Sequence, residues 1–72
     1  MKKKNVVIST LSEDVFTDAV DKIEEMGARV IEKRYDLLYH RYEIYAKLNL
    51  RQSYILRKFM KSREATIMEF GA

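Results

Sequence analysis

A small α+β sandwich is the fold this sequence predicts, and three observations predict it. Apolar residues alternate with polar ones in short runs around Val6, Val30, Tyr42 to Leu48 and Thr66 to Phe70. They recur at helical spacing between Val15 and Met26 and again between Ile55 and Met60. In chain order these patterns read β-α-β-β-α-β, the ferredoxin-like plan of a four-stranded antiparallel sheet with two helices on one face. Held within 72 residues, that plan leaves little chain for an inserted catalytic segment.

Each element has its own justification. Residues 5–10 contain the β-branched run Val6, Val7 and Ile8 and read as the first strand. Ser12 is a good N-cap, and Glu13 and Asp14 follow where a helix dipole favours negative charge. Val15, Phe16, Ala19, Val20, Ile23 and Met26 then line one face of a first helix, which Gly27 stops. Residues 28–35 read as a second strand and residues 41–48 as a third, the latter with Tyr42, Ile44, Ala46 and Leu48 on one face. Residues 36–40 must turn the chain between them without glycine or proline. Because Ile31, Tyr35, Leu38, Tyr42, Tyr45 and Leu48 also recur every three or four residues, one long helix within residues 28–63 is an alternative. Residues 49–63 read as the second helix, with Asn49 as its cap, and a final strand alternates through Thr66, Met68 and Phe70. Met1 to Lys4 read as a flexible lead-in to a single domain.

Composition narrows the class further. A domain of this size buries only roughly 60% of the surface its unfolded chain exposes, so self-association would supplement a thin core. Without cysteine there are no disulfides or thiolate metal sites. The longest apolar runs fall far short of the roughly 20 residues that span a bilayer, and the expectation is a cytoplasmic protein with no transmembrane segment. The net charge of +3 is unevenly placed: residues 12–26 carry six acids against Lys22, and residues 47–63 carry six bases and no acid. If these segments are neighbouring helices, their charges largely answer each other.

Motifs for chemistry are sparse. His40 is the only histidine and lies in the turn, where a surface role is the simpler reading. Ser9, Thr10 and Ser12 sit where hydroxyls serve an anion at a helix start, but Glu13 and Asp14 oppose one, so capping is expected. Phosphate-binding glycine loops are missing, since the glycines are Gly27 and Gly71. The stripe of Asp14, Asp18 and Asp21 reads as a solvated face. No nucleophile-base pair, metal set or cofactor loop emerges, so the expectation is a non-enzymatic domain with no cofactor.

The face of the sheet turned away from the helices carries more. Alternation places Val7, Ile31, Tyr45 and Ile67 there, interspersed with Lys33, Tyr35, Arg41 and Lys47. A mixed aromatic, aliphatic and basic surface marks an interaction site. A homodimer or protein partner is the leading expectation, with a small-molecule ligand as a further one. Nucleic acid is the alternative, because RNA-recognition motifs share this topology and stack bases on central-strand aromatics. Here the first strand has no aromatic, and the third offers only Tyr45 outward.

On Ile23 to Ile31, the alternation of Tyr42 to Leu48 and the helix-to-strand return of Ile55 to Phe70, the chain resembles the ACT-like group of small regulatory domains. It is similar in outline to the cytosolic C-terminal domains of MgtC/SapB-type membrane proteins. The resemblance implies a regulatory domain that dimerises. ACT domains that bind amino acids usually carry glycine at the first strand-to-helix turn, where this chain reads Thr10-Leu11-Ser12-Glu13, and no ligand residue is carried across.

Overall fold

A computed structural model describes residues 2–70. Its elements are β1 (Lys3–Thr10), α1 (Glu13–Glu25), β2 (Arg29–Asp36), β3 (Arg41–Asn49), α2 (Leu50–Met60) and β4 (Thr66–Phe70). The strands form one antiparallel sheet in the order β2-β3-β1-β4, which is the ferredoxin-like arrangement. Two strands occupy the stretch for which a long helix was the alternative. Gly71 and Ala72, placed by the sequence at the end of the last strand, lie outside the described residues.

The central strands β1 and β3 supply the floor of the core through Val6, Ile8, Ile44, Ala46 and Leu48. Ala19 and Ile23 of α1, with Leu56 and Met60 of α2, close it from above. Both helices start as their caps require. The Ser12 hydroxyl accepts from the Val15 amide at 3.3 Å. Asn49 and Gln52 exchange reciprocal bonds of 2.8 and 3.0 Å, a complete capping box. α1 ends in the left-handed turn at Gly27, where the Gly27 amide donates to the Glu24 carbonyl and the Ala28 amide to that of Ile23. A side chain added at Gly27 would meet nothing within 4 Å, so Gly27→Ala isolates the backbone term. Its φ of +78 predicts a loss of about 1 kcal/mol for that substitution, readable by urea denaturation.

The glycine-free turn between β2 and β3 is solved by side chains. Asp36 accepts from the amides of Leu38 (2.9 Å) and Tyr39 (3.3 Å), and His40 adopts the left-handed conformation at φ 53. The Tyr35 hydroxyl lies 3.1 Å from Nδ1 of His40 across the same turn.

Several boundaries differ from expectation. Lys3 and Lys4 are not a lead-in but the start of β1, paired with Asn49 and Leu48, and Lys4 approaches Glu69 at 3.9 Å. α2 stops at Met60 rather than Arg63; beyond it Arg63 stacks on Phe59 (4.1 Å) and pairs with Asp18 at 3.6 Å. That pair, between α1 and the segment after α2, is the one ion pair between the acidic and basic segments among the described residues. Glu25 pairs with Lys22 of its own helix and Arg57 turns to β4, so the acidic and basic segments neutralise each other less than their sequence suggests. No helix among the described residues is long and apolar enough to cross a membrane.

Candidate interaction face

β2 contains a bulge between Val30 and Glu32, and this one residue decides which side chains share the open face. Val30 pairs with Ala46, a core residue, and therefore lies on the helix side. Ile31 is the extra residue, after which Glu32 faces Tyr45, Lys33 faces Ile44, Arg34 faces Glu43 and Tyr35 faces Tyr42. An inserted residue flips every later side chain to the opposite face. Lys33 and Tyr35, expected on the open face, thus belong to the helix side. There the Tyr35 ring stacks on Tyr42 at 4.8 Å, and Tyr42 on Phe16 of α1 at 5.1 Å.

Ile67 needs the same correction. It pairs with the fully buried Ile8 and packs against the core, so the open-face residues of β4 are Thr66, Met68 and Phe70. Both parities of β4 carry apolar side chains, Met68 and Phe70 on one and Ile67 on the other, and alternation alone does not choose between them. The register is accompanied by a polar link on the helix side. There Glu69 accepts from the buried Ser53 hydroxyl (2.8 Å) and from Arg57 (2.7 Å). Ser53 chiefly, then Arg57, hold the Glu69 carboxyl below its ordinary value of 4.5. A carboxyl lowered on folding stabilises the fold above its unfolded pKa, and that contribution is lost as pH falls through the folded value. Glu69→Gln should therefore flatten the acid limb of a stability-against-pH profile below about pH 4.5, measured by urea midpoints.

Of the expected surface, Val7, Arg41, Tyr45 and Lys47 do share the open face, with Ile31 exposed at the bulge. The middle of that face is a row from Glu32 through Tyr45 and Val7 to Met68. Val7 is 6% exposed although no helix covers it, whereas Met68 is 46% and Phe70 50% exposed. The apolar strip is therefore well packed at its centre and open toward β4. Glu32 pairs with Arg34 at 2.6 Å, Arg34 lies over the Tyr45 ring at 5.2 Å, and the Tyr45 hydroxyl donates to Glu43 at 3.3 Å. These contacts fix Tyr45 from its β2 side.

A hollow lies on either side of this strip, toward opposite ends of the strands. The first, about 300 Å³, is bordered by Ser9, Thr10, Leu11, Arg41, Ala65 and Thr66 among others. Its polar groups are largely satisfied internally: Arg41 donates to the Ser9 hydroxyl (3.1 Å), and Thr10 donates to the Glu64 carbonyl (2.7 Å) while accepting from the Ser12 amide (3.1 Å). The second, about 430 Å³, is bordered by Lys3, Arg29, Val30, Ile31 and Lys47. Among the described residues no group of three or more histidine or acidic side chains is placed to hold a metal ion.

No protein-family model matches the sequence, and no curated protein matches it. Solved structures do match, and they define the class as a ferredoxin-like α+β fold. One is an ACT domain protein from Streptococcus pneumoniae, with a TM-score of 0.62 at 15% identity over 97% of this chain and 89% of that one. Another is a formyltetrahydrofolate deformylase from Pseudomonas putida KT2440, with a TM-score of 0.66 at 12% identity. That match covers 99% of this chain but 29% of the deformylase, so this chain spans less than a third of the enzyme's length. At such identities the likeness establishes the fold, which is that of the ACT domain protein. Neither likeness bears on MgtC/SapB-type domains.

Proposed function

We propose that this chain is a non-enzymatic regulatory domain of the ACT type, acting in the cytoplasm as a homodimer whose association a small ligand biases. The observation that carries the reading is the strip of Tyr45, Val7, Met68 and Phe70 on a sheet face that no element among the described residues covers. Apolar surface ordered in this way, flanked by Arg41 at one end and Lys47 at the other, fits a self-complementary interface better than a solvated one. The shared fold with an ACT domain protein supports the regulatory assignment. Ligand sensing is then a population shift: a ligand that prefers the associated form draws the equilibrium toward it.

Sedimentation equilibrium of the wild type beside Met68→Asp tests the reading. The expected pair of masses is dimer for the first and monomer for the second. The competing reading is single-stranded RNA on the same face, favoured by the two open-face aromatics Tyr45 and Phe70 with Lys47 beside them. A monomeric wild type that binds an oligonucleotide, with affinity falling in salt and in Tyr45→Ala, would select RNA over self-association.

A further inference from the structure

The hollow at the bulged end of the sheet is built from like charges. Arg29 of β2 and Lys47 of β3 are direct cross-strand partners, and on the other side of Lys47 stands Asn5 of β1. Lys3, two residues before Asn5 and on the same face, completes the border. Among the described residues none of these three bases forms an ion pair and no carboxylate lines the hollow. Like charges directly opposite each other in an antiparallel pair are destabilising. Glu32, on the same face one cross-strand pair along, is committed to Arg34, and Glu69 to Ser53 and Arg57 on the helix side. The apolar part of the border comes from Val30 and the exposed bulge residue Ile31. Bulges recur beside binding sites, where they re-aim side chains.

We propose that this hollow binds the phosphate group of a phosphorylated small molecule. Arg29 contributes a planar fork for two oxygens, Lys3 and Lys47 contribute point charges, and the nonpolar portion of the ligand rests on Ile31 and Val30. The dianionic charge of a phosphate, or the higher charge of a pyrophosphate, answers three cations where a single carboxylate does not. A volume of about 430 Å³ accommodates a small metabolite rather than a macromolecular groove. The assignment deepens the ligand-sensing half of the proposed function and is independent of its self-association half.

The experiment is a titration of isotopically labelled protein with inorganic pyrophosphate at constant ionic strength, followed by amide chemical shifts, on the wild type and on the Met68→Asp chain. The expected result is saturable binding with the largest shifts at Lys3, Arg29, Ile31 and Lys47, retained in Met68→Asp whether or not the wild type dimerises. Arg29→Gln and Lys47→Gln should each weaken it about tenfold, the size of one lost charge-assisted contact. Without ligand, Lys47→Gln should leave the chain at least as stable as the wild type, because it removes a repulsion. Non-saturating shifts, or shifts centred on the bases of α2, Arg51, Arg57 and Lys58, overturn the proposal. So does undiminished affinity in both glutamine variants. A single-stranded oligonucleotide that competes with pyrophosphate, binds more tightly and extends its shifts across Tyr45 and Phe70 overturns it in favour of nucleic acid.

Discussion

Replacing Ile44 with alanine should cost about 3–4 kcal/mol, enough to unfold a large share of the molecules in mild urea. Ile44 is fully buried at the middle of β3, beside the equally buried Ile8 of β1, and belongs to the cluster closed by both helices. Shortening it removes three carbons from a site whose neighbours come from different elements and cannot collapse together into the space. A chain of 72 residues has a total stability of roughly 4–11 kcal/mol, so the loss is a large fraction of the whole. Urea denaturation followed by circular dichroism reads it directly. A loss below about 1 kcal/mol would mean that the core does not centre on β3.

Met68→Asp should weaken self-association by at least about a hundredfold, roughly 2.7 kcal/mol, while the monomer keeps its fold. In a two-fold dimer formed through this face the new carboxylate would enter the interface twice, each copy at a desolvation cost. Met68 suits the test because nearly half its surface is already exposed and its loss leaves the helix-side core intact. Tyr45 is the less discriminating target. An aspartate there would stand between Glu32 and Glu43 and disturb the monomer as well. Sedimentation velocity measures the association constant, and far-ultraviolet circular dichroism checks the fold of the same samples.

The element order was legible because its strongest signals are local: the cap at Ser12, the stop at Gly27, the alternation of Tyr42 to Leu48 and the cap at Asn49. Faces were legible only where one parity was apolar and the other polar, as in β3. In β2 a single extra residue at Ile31 reverses the parity of Lys33 and Tyr35, and nothing in the composition of that strand marks it. In β4 both parities carry apolar side chains, and the outward side is set by pairing with β1 and by the Ser53–Glu69 contact from a distant helix. Met68 and Phe70 were therefore missed, although their alternation was visible. The turn of residues 36–40 lacks glycine, but Asp36 and His40 are the residue types that replace it, one by accepting amide bonds and the other by tolerating the left-handed conformation. Lys3 and Lys4 read as solvated charge because their place in β1 depends on backbone pairing with β3, to which side-chain polarity is indifferent.

The measurement that bears most directly on the central claim is a concentration series of amide chemical shifts with a translational diffusion coefficient at each point. Self-association through the open face predicts that the amides of Val7, Tyr45, Met68 and Phe70 shift together as the particle slows toward dimer size, while those of α1 and α2 stay fixed. A monomer at every concentration with those amides unmoved, or a dimer whose shifts map to the helices, would contradict it.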